Sequence, residues 1–250
     1  MNRVRRRYVA LPIAAGILIA VVVFGASLRT ALAQDGTATA TATAPGVLEG
    51  EPSTLACAAV GNAAPTAEPT AETAATFTIV SEESEARYRA QEELAGQGAN
   101  EAVGATSAFI GSILFDADAM PLACTRFDVD LRTLVSDESR RDNYLYTNTL
   151  ETQQYPLATF VLTDVEGLDG PLADGEETTF TLIGNLTVHG VTKLVAWEAT
   201  VTLDGDTLDG RAATEFDMPD FDIAPPVIGP VVSLDETVRL EVDIAAERAA

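Results

Sequence analysis

The sequence predicts an all-β fold of about eight antiparallel strands, a closed barrel or a sandwich, and three observations carry that prediction. Apolar and polar residues alternate with period two through most of the stretch from Phe77 to about Ala246. Such alternation turns one face of each strand to a core and the other to water. Turn-forming runs punctuate the pattern at Asp174-Gly175, Asp204-Gly205-Asp206 and Asp209-Gly210, where glycine takes a positive φ at no steric cost. One apolar face per strand, repeated about eight times, is buried by curling the sheet onto itself or stacking it on a second sheet.

In chain order, Phe109, Gly111, Ile113 and Phe115 share one apolar face, and Phe127, Val129 and Leu131 share the next, with Arg126, Asp128, Asp130 and Arg132 between them. From Asp137 to about Gln154 the alternation stops. The Asp137–Asp142 start and the Tyr144-Leu145 pair predict one or two short helices near one mouth, capped by Ser136 or Asp137. Strands resume with Ala158, Phe160 and Leu162, then Phe180, Leu182, Gly184 and Leu186. Two β-branched runs, Phe180–Val188 and Val191–Leu203, flank His189-Gly190. That pair suits a two-residue hairpin in which both central residues need φ > 0. The single histidine therefore belongs on a turn rather than in a catalytic site. Val195, Trp197, Ala199 and Val201 come next, then Leu208, Ala212 and Phe216, then Val238, Leu240, Val242 and Ile244, with Arg239, Glu241 and Asp243 on the opposite face of the last strand.

Residues 1–34 read as a targeting element. Arg3, Arg5, Arg6 and Arg7 precede an apolar run from Val9 to about Leu28, and Ala31-Leu32-Ala33 is a small-x-small site. A cleaved signal peptide and a retained signal anchor (a transmembrane helix) both fit, because the run reaches the ~20 residues a bilayer needs. The basic flank stays cytoplasmic, so either outcome exports the remainder of the chain. The expected location is extracytoplasmic: secreted, periplasmic, or tethered to the outer face of the cytoplasmic membrane. Residues 35–75 collapse to Ala, Thr, Pro, Gly and Glu and predict a disordered linker, although the less polar Val47–Val60 patch could pack locally. The folded domain is expected over 76–250. Beyond residue 34 the chain holds 10 basic and 38 acidic residues, a net charge of −28. Such a surface repels nucleic acid and anionic headgroups, so no nucleic-acid partner is expected. Export permits a bridge between Cys57 and Cys124. It would close a loop of about 68 residues, worth ~4 kcal/mol in the chain-entropy picture; two unpaired cysteines are the alternative.

Several short motifs fall in the order found in one family. Gly111–Asp116 reads Gly-x-Ile-x-Phe-Asp, Arg141-Asp142 precedes Leu145, Tyr155-Pro156 precedes Thr159-Phe160, and Leu186–Lys193 forms the hairpin. In these features the chain resembles the YceI-like family of lipid-binding barrels, typified by polyisoprenoid carriers. Tyr144 stands where that family usually has histidine, Leu150-Glu151-Thr152 replaces an aromatic pair, Glu83-Ser84 replaces His-Ser, and Met218-Pro219-Asp220-Phe221 replaces an Arg-x-Asp-aromatic-Gly element. These departures bear on ligand identity. The resemblance implies a lipocalin-like eight-stranded antiparallel barrel that sequesters or carries an amphiphilic isoprenoid or quinone-like lipid.

A barrel of this size is either filled by its own side chains or holds one small ligand. Gly111, Ala158, Gly184, Ala199, Gly210 and Ala212 fall on inferred inner faces and are expected to leave volume. The lipid tail would lie among Phe109, Ile113, Phe127, Leu131, Phe160, Leu182, Leu186, Trp197 and Phe216, entering beside Tyr144 and Phe221. Arg140-Arg141 would meet a headgroup, or pin the helix through Asp142 or a neighbouring acid. One histidine on a turn makes neither a Ser-His-Asp nor a histidine-metal constellation. Asp204–Asp209 misses the spacing of a calcium loop, and Asp217, Asp220 and Asp222 read as a solvated loop. No enzyme activity, metal or cofactor beyond a bound lipid is therefore expected, nor any membrane contact except through the N-terminal helix if uncleaved. The competing reading is a ligand-free structural or adhesion barrel at the cell surface, which a filled core would favour.

Overall fold

Antiparallel ladders build the whole sheet of the computed structural model, which describes residues 45–53, 57, 72–226 and 228–249. Its strands are β1 (Gly46–Val47), β2 (Ala75–Ile79), β3 (Glu85–Leu94), β4 (Gly98–Thr106), β5 (Phe109–Phe115), β6 (Arg126–Asp130), β7 (Val135–Ser136), β8 (Leu157–Glu166), β9 (Glu177–Val188), β10 (Val191–Asp204), β11 (Thr207–Asp217) and β12 (Val231–Arg248). Eight of them close a ring in the order β2-β5-β6-β8-β9-β10-β11-β12, and Ala246–Arg248 of β12 completes it opposite Phe77–Ile79. The barrel, not the sandwich, is formed.

β2 and β3 are two halves of one bent strand. Both lie along β12, separated by a 3₁₀ turn at Ser81–Glu83. β4 and β5 divide in the same way at Ser107-Ala108. Past these bends the sheet continues as β12-β3-β4-β7. The connection from β7 to β8 is α1 (Ser139–Tyr144), prolonged by a wide π-helical turn, Leu145–Thr149. Its cap is Glu138, whose carboxylate accepts from the Arg140 amide at 3.0 Å, rather than Ser136 or Asp137. Ser136 instead donates its hydroxyl to Asp142 at 2.6 Å. Arg141 passes over Asp142 and pairs with Asp137, one turn back, because neighbours at i, i+1 do not face each other on a helix.

The core is organised by a row of aromatic rings crossing β5, β6, β8 and β10. Phe109 stacks on Phe127 at 5.1 Å between centroids, Phe127 on Phe160 at 5.0 Å, and Phe160 meets Trp197 edge-on at 5.9 Å. Two glycines permit close approach beside these rings, Gly111 to the backbone of β6 and Gly184 to the Phe160 ring. A Cβ at Gly111 would lie 2.7 Å from the Phe127 Cα, and one at Gly184 would lie 2.4 Å from the Phe160 Cζ. Gly111 and Gly184 therefore leave no open volume, contrary to expectation: the backbone of β6 takes the space at Gly111, and the Phe160 ring with the Val161 carbonyl takes it at Gly184.

On the outer face, Glu241 accepts from Arg87 at 3.3 Å, Arg89 at 2.9 Å and Arg239 at 3.0 Å. Burial pushes its carboxyl up, but the three guanidinium groups outweigh that and hold it down at about 2.

Part of the expected linker is ordered on the barrel. β1 pairs with β10 (Gly46 opposite Ala196, Val47 opposite Val195), and Val47 packs on the core. Asn185 clasps Ser53, accepting from its amide at 2.9 Å and donating to its carbonyl at 2.8 Å. Cys57 and Cys124 form a disulfide with Cα atoms 5.3 Å apart. Paired backbone groups and one half-buried valine offset the ordering cost of this segment. The 1–34 targeting element and the rest of the linker up to residue 71 lie outside the described residues. Among the described residues no helix is long and apolar enough to cross a membrane.

Candidate ligand-binding site

A cavity of about 490 Å³ opens inside the barrel above the aromatic row. Phe127, Phe160, Leu186 and Trp197 line it together with Val129, Ala158 and Val188. α1 supplies Arg140 and Arg141, the adjoining turn supplies Leu145, Thr149 and Leu150, and the segment after β11 supplies Met218, Ile223 and Pro226. The even-numbered residues of β3, from Ala86 to Leu94, form one long side. At ~3.3 Å per residue that side runs about 26 Å, which makes the cavity elongated.

Six of the residues expected to hold a lipid tail line this space: Phe127, Leu131, Phe160, Leu186, Trp197 and Phe216. Ile113 and Leu182 line a separate void of about 60 Å³ with Ala199, Gly210 and Ala212, so those small residues relieve crowding rather than enlarge the ligand space. Phe109 is fully buried behind Phe127 and reaches neither space. The expected way in also differs. Phe221 is completely buried against Phe216, with ring centroids 4.6 Å apart, and backs the wall instead of lining it. Tyr144 is half-buried and off the cavity. Arg141, Leu145 and Thr149, spaced four apart, present the inward face of that helical segment.

Of the polar wall the sequence pattern singles out Arg140 and Arg141 but not Glu92, Asn100 or Tyr88. Glu92 projects from β3 with its side chain only 3% exposed, and its Oε1 accepts from Arg141 Nη2 at 3.0 Å and Asn100 Nδ2 at 2.7 Å. Arg141 also donates to Asp137 at 2.6 Å and Ser136 at 3.3 Å. Burial works against the Arg141 charge, yet Asp137 and Glu92 prevail and hold its pKa above the ordinary value. Tyr88, two turns of the pleat below Glu92, has its phenol pushed up to about 12, by burial first, against the pull of Arg141 and with Asp142, Glu92 and Asp137 adding to it. Among the described residues three buried side-chain atoms lack a hydrogen-bond partner, Tyr88 Oη, Thr149 Oγ1 and Trp197 Nε1, and all three belong to residues of this cavity. Each such atom costs about 1–3 kcal/mol, a concentration of unmet polarity that a filled structural core would not gather in one place.

The signal for β3 is present in the sequence but out of phase. Phe77 and Ile79 face inward on odd numbers, the turn at Ser81–Glu83 shifts the register, and Ala86, Tyr88, Ala90 and Glu92 face inward on even numbers. His189 sits where expected, on the β9–β10 turn with φ of 52°, and Gly190 after it has 76°. Its Nε2 lies 3.1 Å from Glu151, its Nδ1 3.3 Å from the Phe221 carbonyl, and Tyr155 packs edge-on against the ring. This links the segment after the π-helical turn to the segment after β11.

Comparisons with known proteins agree with this architecture. The YceI-like domain pattern matches residues 77–246. A UPF0312 protein of Pseudomonas putida is 33% identical over 121 residues, covering 45% of this chain and 59% of its own length. A UPF0312 protein of Enterobacter sp. (strain 638) is 33% identical over 99 residues, covering 39% and 47%. The chain thus spans about three fifths, at 59%, of the first of these relatives. Among solved structures, BcnA of Burkholderia cenocepacia superimposes with a TM-score of 0.53 at 16% identity, covering 67% of this chain and 98% of that protein. A polyisoprenoid binding domain from Saccharophagus degradans, implicated in plant cell wall breakdown, gives 0.54 at 14% identity, covering 69% and 98%. At such identities the two structures establish the fold, and the domain match over most of the chain establishes the lineage: this protein belongs to the YceI-like family.

Proposed function

We propose that this protein is an exported binding protein that holds one amphiphilic lipid, of isoprenoid or quinone type, with its tail among Phe127, Phe160, Leu186, Trp197 and Phe216. The observation that carries the reading is the elongated cavity of about 490 Å³ with a largely apolar, aromatic floor. Its size falls within the ~300–1,000 Å³ of typical small-molecule sites. Burial contributes roughly 0.8 kcal/mol per CH₂, so about ten methylenes supply around 8 kcal/mol, the scale of micromolar binding before ordering costs. An open cavity of this size also weighs against the ligand-free structural barrel. Binding rather than catalysis is further supported by the engagement of His189 on a turn with Glu151 and a backbone carbonyl.

The test is mass spectrometry of organic extracts of protein purified from its native export route. A stoichiometric isoprenoid or acyl species supports the reading and names the ligand. A lipid-free extract, with no quenching of Trp197 fluorescence when long-chain lipids are then added, overturns it.

A further inference from the structure

We propose that the cavity selects an uncharged amphiphile whose head donates a hydrogen bond, a hydroxyl above all, and discriminates against carboxylate and phosphate heads. This rests on the cavity being a lipid site. The recognising group is Glu92 with Asn100. Both hydrogen bonds to the Glu92 carboxylate, from Arg141 and Asn100, land on Oε1. Oε2 accepts none from the described residues, on a side chain that is 3% exposed and lines the cavity. Asn100 donates through Nδ2, and its Oδ1, which accepts from none of the described residues, is the second open acceptor of the same wall. Two acceptors on cross-strand neighbours, one of them a buried carboxylate, call for a donor.

The charges around them agree. Arg141 is already engaged by Glu92, Asp137 and Ser136. Arg87 is engaged by Glu85, Asp243 and Glu241. That leaves Arg140 as the one lining cation without an ion pair among the described residues, against Asp137 and Glu138 beside it on the same rim. An anionic head drawn to Arg141 would have to displace Glu92 or sit next to its open oxygen, and either arrangement is unfavourable in a poorly solvated wall. A hydroxyl head fits with no displacement. Of a quinone pair, the reduced form offers the hydroxyl donor and the oxidised form only acceptors.

The experiment is a displacement titration on the full chain with three probes of one saturated chain length: a primary alcohol, its carboxylic acid and its monoalkyl phosphate. The expected result at neutral pH is that the alcohol binds at least about tenfold tighter than either anion, and that Glu92→Gln brings the three within about threefold of one another. If Glu92→Gln does not fold, the wild-type ranking decides alone. Acid or phosphate binding as tightly as the alcohol overturns the inference, and loss of that binding in Arg140→Ala would move the head to the rim cation. If none of the three binds, the lipid-site reading itself falls, which distinguishes the two failures.

Discussion

The contact between Phe160 and Gly184 gives a quantitative test of how the barrel is packed. Phe160 is 1% exposed, stacks on Phe127 at 5.0 Å and meets Trp197 at 5.9 Å. Phe160→Ala removes the ring from both partners and costs about 3–5 kcal/mol. Gly184→Ala works from the other side. Its Cβ would lie 2.4 Å from the Phe160 Cζ and 2.4 Å from the Val161 carbonyl oxygen, and overpacking of this kind costs about 1–3 kcal/mol. In the double variant the ring clash is gone and only the backbone clash remains. The combined loss is therefore expected to fall at least ~1 kcal/mol short of the sum of the singles. Urea unfolding at one temperature, with m-values checked for constancy, measures all three. At about 2–4 °C per kcal/mol for a domain of this size, Phe160→Ala alone lowers Tm by roughly 6–20 °C. Strict additivity, or a Phe160→Ala loss below ~1 kcal/mol, would refute the claim that this glycine exists to seat this ring.

Charge, covalent and polar contacts give further expectations. The Glu241 carboxyl is held at about 2 in the folded chain against an ordinary value of 4.5, so its network adds stability above about pH 4.5 that is lost as pH falls toward about 2. The Tm difference between wild type and Glu241→Gln should accordingly be full near neutrality and vanish by about pH 2; a constant difference across that window would contradict it. Cys57→Ser and Cys124→Ser should each destabilise by up to ~4 kcal/mol, and the double variant by no more than either single one, read by denaturant unfolding under oxidising conditions. Tyr88→Phe removes a buried hydroxyl with no partner among the described residues and should leave the ligand-free barrel as stable as wild type or more stable by up to about 3 kcal/mol; a loss above ~1 kcal/mol would show that the hydroxyl is satisfied after all.

The sequence pattern reaches the ring strands because their inward residues are large and regular: Phe127 and Val129, Phe160 and Leu162, Trp197 and Ala199 obey one period without interruption. It fails on β3 and β4 for two physical reasons. The bends at Ser81–Glu83 and Ser107-Ala108 change which parity faces inward, and the inward residues there are small or polar. Alanines, a tyrosine and a glutamate carry no apolar alternation, so the wall that gives the cavity its chemistry has the weakest signal. Family resemblance puts Phe221 and Tyr144 at the mouth, whereas tight turns decide side-chain direction locally. In the 3₁₀ turn Met218–Phe221 it is Met218 that faces the cavity. Composition marks the Val47–Val60 patch as able to pack locally but not its partner, because two backbone pairs and one valine suffice to fix the strap once β10 offers an unpaired edge.

The Cys57–Cys124 bridge also sets how the barrel bears load. It joins positions 67 residues apart, and all of β2, β3, β4 and β5 lies inside the loop it closes. A pull on the chain upstream of β1, resisted at β12, first peels the two residue pairs that hold β1 to β10 and then opens the Ser53–Asn185 clasp. Tension then crosses the disulfide at Cys124 and enters β6, while the covalent path bypasses the four strands between. The backbones of β3 and β4, which build one wall of the cavity, therefore carry none of that tension along their own length.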